Sequence, residues 1–264
     1  MPSRAHADGA MPLDVYQSET ADQSVRADWS AYATAYDLLS EHNPEYQAIL
    51  SSFDTFLASI ETPQLIYDIG GGTGNYTERA AIACPDSEIH LAEPDPGMIA
   101  AAKAKLSAHR NITYDNVALE SFSPSHQADL IVCVHAIYAM PNPQQRLKDL
   151  RRLLRPGGWL FLVDLGRDMD VADWRRYLFG SIKAKHGLLG ALRVFWQGRE
   201  IAKQNSAIYD AQQKGVYWTH SAEELATAVT AAGFEIHRED TVYRGYSDLL
   251  VCRAPSETSG DDHE

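Results

Sequence analysis

The sequence predicts a doubly wound α/β domain with a mostly parallel, seven-stranded sheet. Three observations predict it. Short apolar runs alternate with helical segments from Leu65 to Leu165, and strands apolar on both faces belong to a parallel sheet covered by helices. The first run, "LIYDI", stops at "GGGTG" and a helix follows, the opening of a nucleotide-binding βα unit. Near the C-terminus "FEIHREDTVY" and "DLLVCRA" have little chain between them, so they are antiparallel neighbours and the last strand runs against the sheet.

Taken in order, residues 1–25 read as a mobile arm. "DWSAYATAYDLL" and "EYQAILSSFDTFLASI" space their apolar residues as helices do. "LIYDI" is the first strand, "NYTERAAIAC" a helix closed by Pro85, "EIHLAE" the second strand and "PGMIAAAKAKLSAH" the next helix. "NITYDNV" and "ADLIVCVHAI" are the third and fourth strands. "NPQQRLKDLRRLLRPGG" is a helix with a Pro-Gly-Gly stop, and "WLFLVDL" is the fifth strand. From Gly166 to Tyr217 no strand pattern appears, but Trp174, Tyr177, Phe179, Phe195, Trp196 and Tyr209 do, and 166–217 reads as a helical lid insertion. "SAEELATAVTAAGF" opens on a capping-box pair, Ser221 and Glu224, and stops at Gly233. Residues 255–264 are polar and acidic, a disordered tail. The whole, 1–264, reads as a single domain.

The net charge is −13, and the clusters of Lys and Arg are short, so nucleic acid is not an expected partner. Cys84, Cys133 and Cys252 have no paired spacing, which argues against disulfides or a zinc site and suits a reducing cytoplasm. No apolar stretch is long enough to span a membrane and the N-terminus lacks a signal-peptide core, so a cytoplasmic protein with no membrane partner is expected.

Four glycines within residues 70–74 demand that something approach bare backbone. A P-loop is excluded because no Gly-Lys-Ser/Thr follows, and Asn75 stands where the dinucleotide pattern needs its third glycine. The pattern here is Asp68, Gly70, Gly72, Gly74. With these residues the sequence resembles the class I S-adenosylmethionine (SAM) dependent methyltransferases. "YDIGGGTGNYT" is similar to their first motif, "IHLAEPDPGMI" to the second-strand motif, "ADLIVCVHAIYAMPNP" to the fourth-strand motif, and "LRRLLRPGGWLFLVDL" and "THSAEELATAVTAAGFEI" to the later elements. The likeness runs from Trp29 to Arg253, the insertion excepted, and implies a Rossmann-like sheet with SAM as cofactor.

On that resemblance Gly70, Gly72 and Gly74 let backbone approach the cofactor, and Glu93, ending the second strand, meets the ribose hydroxyls; a solvated acid is the plainer reading. Asp68 holds the loop or the cofactor's ammonium. Asp95 and Met98 follow Glu93, with Met98 against the adenine face or in the helix core. Many relatives carry an aspartate where Ala118 stands; backbone at Ala118 and Leu119, or the Glu120 side chain, could read the adenine edge instead. His135 ends the fourth strand as a cofactor contact, a catalytic base or a structural polar group. Tyr36, with Asp37 and Tyr32 on the first helix, and Tyr138 are candidate walls of the methyl pocket; Tyr36 and Tyr138 join His135 as catalytic candidates, and Tyr36 is also a cofactor contact or else a core aromatic, with Tyr16 a more distant candidate. Asp164 and His220 read as loop and helix-end residues, and no metal site is expected.

Methyl transfer is an in-line displacement that needs near-attack geometry in a water-poor pocket. The expected function is transfer of the SAM methyl group to a small-molecule N, O or C nucleophile under the aromatic lid, which is also a candidate homodimer surface. A SAM-binding module without turnover, a protein or RNA methyltransferase, and a dinucleotide oxidoreductase are the alternatives.

Overall fold

A computed structural model of the protein describes residues 26–256. The arm 1–25 with Tyr16, and residues 257–264, lie outside the described residues. The seven strands are β1 (Leu65–Ile69), β2 (Glu88–Ala92), β3 (Ile112–Asp115), β4 (Ala128–Val134), β5 (Leu154–Leu165), β6 (Glu235–Val242) and β7 (Ser247–Arg253). They form one sheet in the order β3-β2-β1-β4-β5-β7-β6. β7 lies antiparallel to both β5 and β6, so the other six strands share one direction. The order reverses between β1 and β4, and the carboxyl ends of these strands border the crevice where such sheets bind ligands.

Burial explains which segments became strands. β4, β7 and the C-terminal half of β5 are almost wholly buried, because both faces of the sheet are covered. Phe161 and Val163 of β5 pack on one face with Phe53, Val251 and Tyr76. Leu160 and Leu162 pack on the other with Leu147, Leu225 and Val229. This is the two-residue alternation of a strand serving two apolar layers. Edge strand β6 is polar and mostly exposed or half-buried, which blunts an open edge.

The helices are α1 (Trp29–His42), α2 (Pro44–Ser59), α3 (Asn75–Ala83), α4 (Pro96–Lys105), α5 (Pro143–Leu153), α6 (Val171–Gln197), α7 (Arg199–Gln213) and α8 (Ala222–Ala231). Helix α5 stops at Leu153, before the Pro-Gly-Gly expected to end it. Gly157 has a φ of 74°, and "LRPGG" already belongs to β5, where it absorbs a register shift against β4. The capping box at α8 is formed in both directions between Ser221 and Glu224. After β5 the chain builds α6 and α7; α6 breaks at Gly187 (φ 72°). Helix α1 packs on α4, α6 and α7, so it lies between the glycine turn and the lid helices.

One glycine of the turn after β1 is required twice over. Gly74 has a φ of 80°, and a Cβ there would stand 2.6 Å from Cδ1 of the buried Leu106. Gly215 has a φ of 68° with nothing within 4 Å. Gly74→Ala is expected to cost about 2–4 kcal/mol, combining left-handed strain with overpacking, and Gly215→Ala only about 1–2 kcal/mol. Urea unfolding of the two variants gives the comparison; equal losses would contradict the packing argument.

Candidate active site

The glycine turn joins β1 to α3 at the carboxyl edge of the sheet. Gly70 and Gly71 donate their N–H groups to the Ala92 carbonyl at 2.8 and 3.4 Å, which fastens the turn to the end of β2. Gly70 and Gly74 are closely packed, but a Cβ on Gly72 would meet only Met98 Sδ, at 3.8 Å. The backbone of Gly72 is therefore the open part of the turn.

Glu93, one residue beyond β2, faces it. The residue is 7% exposed; Oε2 accepts the Gly72 N–H at 3.1 Å and Oε1 the Asp95 N–H at 2.9 Å. Burial pushes its pKa up to about 7, the two N–H donors hold it down, and the Asp95 and Asp68 carboxylates add to the rise. Asn116, which the sequence did not single out, donates to the Glu93 and Pro94 carbonyls at 2.9 Å each and so fixes the backbone carrying the acid.

Asp95 and Asp68 are both engaged by the protein. Asp95 caps α4 through the Met98 N–H and accepts the Ser30 hydroxyl from α1, each at 2.9 Å. Asp68 accepts the Thr77 hydroxyl at 2.6 Å beneath the turn; burial lifts its pKa to about 6 against the pull of Thr77 and Lys105. Met98 is buried under Gly72. Ala118 precedes a one-turn 3-10 helix, Leu119–Ser121, whose Leu119 is buried. Glu120 is turned away to an ion pair with Arg146 at 3.0 Å, so it is not free to replace the missing aspartate.

Helix α1 is pinned over the turn by a second group that the sequence did not flag as a cluster. The Lys105 ammonium donates to Asp37 Oδ1 (2.9 Å), Asn75 Oδ1 (2.7 Å) and Thr73 Oγ1 (3.3 Å), and the Thr73 hydroxyl donates to Asp37 Oδ1 at 2.6 Å. Tyr36, the residue before Asp37, is half-buried and packs edge-on against Tyr32 and Tyr46. Burial first, then the nearby Glu93, Asp37 and Asp68 carboxylates, raise its pKa to about 12. The phenol is neutral, and the Glu93 carboxylate is near enough to act on it.

His135 follows β4 with a φ of 51°. Its N–H donates to the Val163 carbonyl at 2.7 Å, Nε2 lies 3.0 Å from Ser247 Oγ, and its ring meets Tyr243 at 5.0 Å. Burial lowers its pKa to about 4. Tyr138 is buried edge-on against Tyr217 at 5.5 Å, its phenol held neutral by burial. Asp164 accepts the Tyr138 N–H at 3.1 Å and pairs with His220 Nε2 at 3.2 Å, both fully buried; His220 thus braces the end of β5. Among the described residues no cluster of His, Cys, Asp or Glu is arranged to hold a metal.

Between α1, α6 and α7 lies a cavity of about 260 Å³, lined by Leu38, Met169, Trp174, Leu178, Phe195 and Ile201 among others. Two tyrosines separate it from the polar site. Tyr243 takes a hydrogen bond from Asn43 of the cavity wall, stacks on Trp174 at 4.7 Å and touches His135. Tyr32 donates to Asn205 of the wall and touches Tyr36. The lid aromatics divide: Trp174 is buried, Tyr177 bonds Glu45, Phe179 pairs with Phe195, and Trp196 and Tyr209 are exposed.

A family model described as a methyltransferase domain matches residues 67–160, from β1 into β5. The chain is 30% identical over 203 residues to a malonyl-[acyl-carrier protein] O-methyltransferase from Hahella chejuensis, covering 73% of this chain and 66% of that protein. Residues 67–160 are thus a methyltransferase domain, on the fold of the class I S-adenosylmethionine-dependent methyltransferases. The chain is also 30% identical over 165 residues to the non-reducing polyketide synthase mapC of Penicillium roqueforti, a match of 58% of this chain but 6% of that far longer protein. In structure this methyltransferase fold is similar to the N-methyltransferase NodS from Bradyrhizobium japonicum, in complex with S-adenosylhomocysteine, with a TM-score of 0.59 at 16% identity over 87% of this chain and all of that one.

The lowered pKa of His135 gives a direct prediction. Its imidazole carbon shifts, followed by NMR from pH 8 to 3.5, should titrate with a midpoint near 4. A midpoint at the ordinary value of about 6.5 would contradict the burial argument.

Proposed function

We propose that the protein transfers the SAM methyl group to a small-molecule nucleophile. The observation that carries this reading is the buried Glu93 carboxylate held against the open backbone of Gly72. The residues fit the cofactor. A carboxylate can accept both hydroxyls of a ribose, Gly72 leaves room for a ligand to approach the backbone, and Met98 offers an apolar face beside them. Glu93 would hold the ribose, the 70–74 turn the chain that links it to the amino acid, and the backbone at Ala118 and Leu119 the adenine edge. Asp68 and Asp95 support this set by fixing the turn and α4. When bound, SAM supplies an electrophilic methyl on a sulfonium.

The remaining residues prepare the acceptor. Tyr36 and Tyr138 are neutral phenols that can wall the methyl position, and an aromatic face favours a nearby cation. His135 is a neutral imidazole at physiological pH, so it orients an acceptor through a hydrogen bond and is a weak store for a proton. The acceptor nucleus would occupy the apolar cavity behind Tyr32 and Tyr243. A 260 Å³ space suits a small organic molecule. The likeness to the Hahella enzyme, named for a malonyl group on an acyl-carrier protein, and the fold shared with an S-adenosylhomocysteine-bound N-methyltransferase support methyl transfer without fixing N, O or C.

The sign of the pH dependence follows from Glu93. Its folded-state pKa is about 7 against 4.5 for a free glutamate, so the carboxylate that accepts the ribose forms as pH rises through 7. Affinity for S-adenosylhomocysteine should therefore fall about tenfold per unit below pH 7 and level off above 8. Stability of the ligand-free fold runs the other way. Unfolded glutamate ionises first, so the stabilisation from a neutral Glu93 is present below about 4.5 and lost as pH approaches 7. Glu93→Gln should bind S-adenosylhomocysteine about 10–100-fold more weakly at pH 8 and lose the pH dependence. Calorimetry showing unchanged affinity in this variant would sink the assignment.

A further inference from the structure

The second half of α6, "LLGALRVFWQ" at 188–197, has only Arg193 and Gln197 as polar side chains. A helix so apolar around its circumference is normally buried around its circumference. This one is half open. Ala191 is fully buried, and Val194 and Phe195 line the cavity. Leu188, Leu189, Leu192 and Trp196 are 53%, 82%, 52% and 69% exposed. Their spacing places all four within about 100° of arc, so they form one exposed stripe adjoining the inward face of Ala191, Val194 and Phe195.

Charge is distributed to match. Residues 171–203 carry seven Lys and Arg against two carboxylates, Asp173 and Glu200, in a chain whose net charge is −13. Lys183 and Lys185 are exposed on the segment just before the Gly187 break, Arg193 is exposed on the segment that bears the stripe, and the Arg199 guanidinium lies 4.9 Å from the Trp196 ring centroid. An apolar stripe flanked by basic residues, with a tryptophan beside an arginine, is the composition of a helix lying in the interface of an anionic bilayer.

We propose that α6 docks the protein on an anionic membrane surface, with Leu188, Leu189, Leu192 and Trp196 inserted among the acyl chains and Lys183, Lys185 and Arg193 at the headgroups. The sequence expectation of no membrane partner rested on the want of a spanning segment. Among the described residues no helix is long and apolar enough to span, but interfacial docking needs none. A second copy of the chain is the competing occupant. A two-fold contact would lay this basic face on its own image, whereas an anionic surface complements it. The docking does not depend on the methyltransferase reading.

The test is flotation of the full chain with vesicles of phosphatidylcholine alone and with phosphatidylglycerol added, alongside Leu189→Glu and the double variant Lys183→Glu/Lys185→Glu. These side chains are exposed, so the fold should persist, as circular dichroism and unchanged S-adenosylhomocysteine affinity would show. The protein should float with the phosphatidylglycerol vesicles, and binding should fall at least about tenfold on phosphatidylcholine and in either variant. No flotation with phosphatidylglycerol, equal flotation of the Leu189→Glu protein, or a dimer that Leu189→Glu dissolves without any vesicle binding would overturn the proposal. If S-adenosylhomocysteine binds while vesicles do not, the docking fails and the function stands; the reverse result separates them the other way.

Discussion

A carboxylate that the fold removes from water has to be matched by donors, and Glu93 is matched by backbone alone. The N–H groups of Gly72 and Asp95 reach its two oxygens, and each of those donors depends on something larger. Gly72 is in place because the turn after β1 is tied to Ala92 at the end of β2. Asp95 is in place because it begins α4, whose cap it provides. The parallel register of β1 with β2, Ile69 opposite Ala92, brings the two sides together. Two N–H donors compensate only part of the burial, which is why the acid stays near neutrality in pKa. A ligand offering two hydroxyls would complete what the backbone begins.

The ceiling of the site is held by charge and the apolar cavity behind it by aromatic packing. Lys105 collects three oxygens from α1, the turn and α3, so helix α1 is clamped at Asp37 while Tyr36 is presented beside it. Behind α1 the tyrosines pass contact from one wall to the next, Tyr36 to Tyr32 and His135 to Tyr243 to Trp174. Burial keeps these phenols protonated. The tyrosines themselves therefore add no phenolate charge to the wall of the cavity.

What the sequence disclosed was what neighbours in the chain decide. The apolar runs, the glycines before α3, the acid after β2 and the capping box at Ser221 are local patterns with local causes, and the sheet follows from their order. What it concealed were partners far apart. Asp37 and Lys105 are 68 residues apart, and His135 and Ser247 are 112 apart; no spacing rule joins them. Glu120 was a candidate for the adenine edge until folding placed Arg146 beside it. The end of α5 was misplaced because Pro-Gly-Gly reads as a stop, while Gly157 takes its left-handed turn inside β5. In the lid, helical composition was plain, but which aromatics face inward was not. Trp174 and Trp196 look alike in sequence, and only packing separates a 3% exposed indole from a 69% exposed one.

A crystal structure of the protein with S-adenosylhomocysteine tests the central claim most directly. The account predicts ribose hydroxyls on the Glu93 carboxylate, the sulfur beside Tyr36, and the apolar cavity under α6 and α7 opening from that side. A ligand seated away from Gly72, with Glu93 bonded only to its two backbone N–H groups, would contradict it.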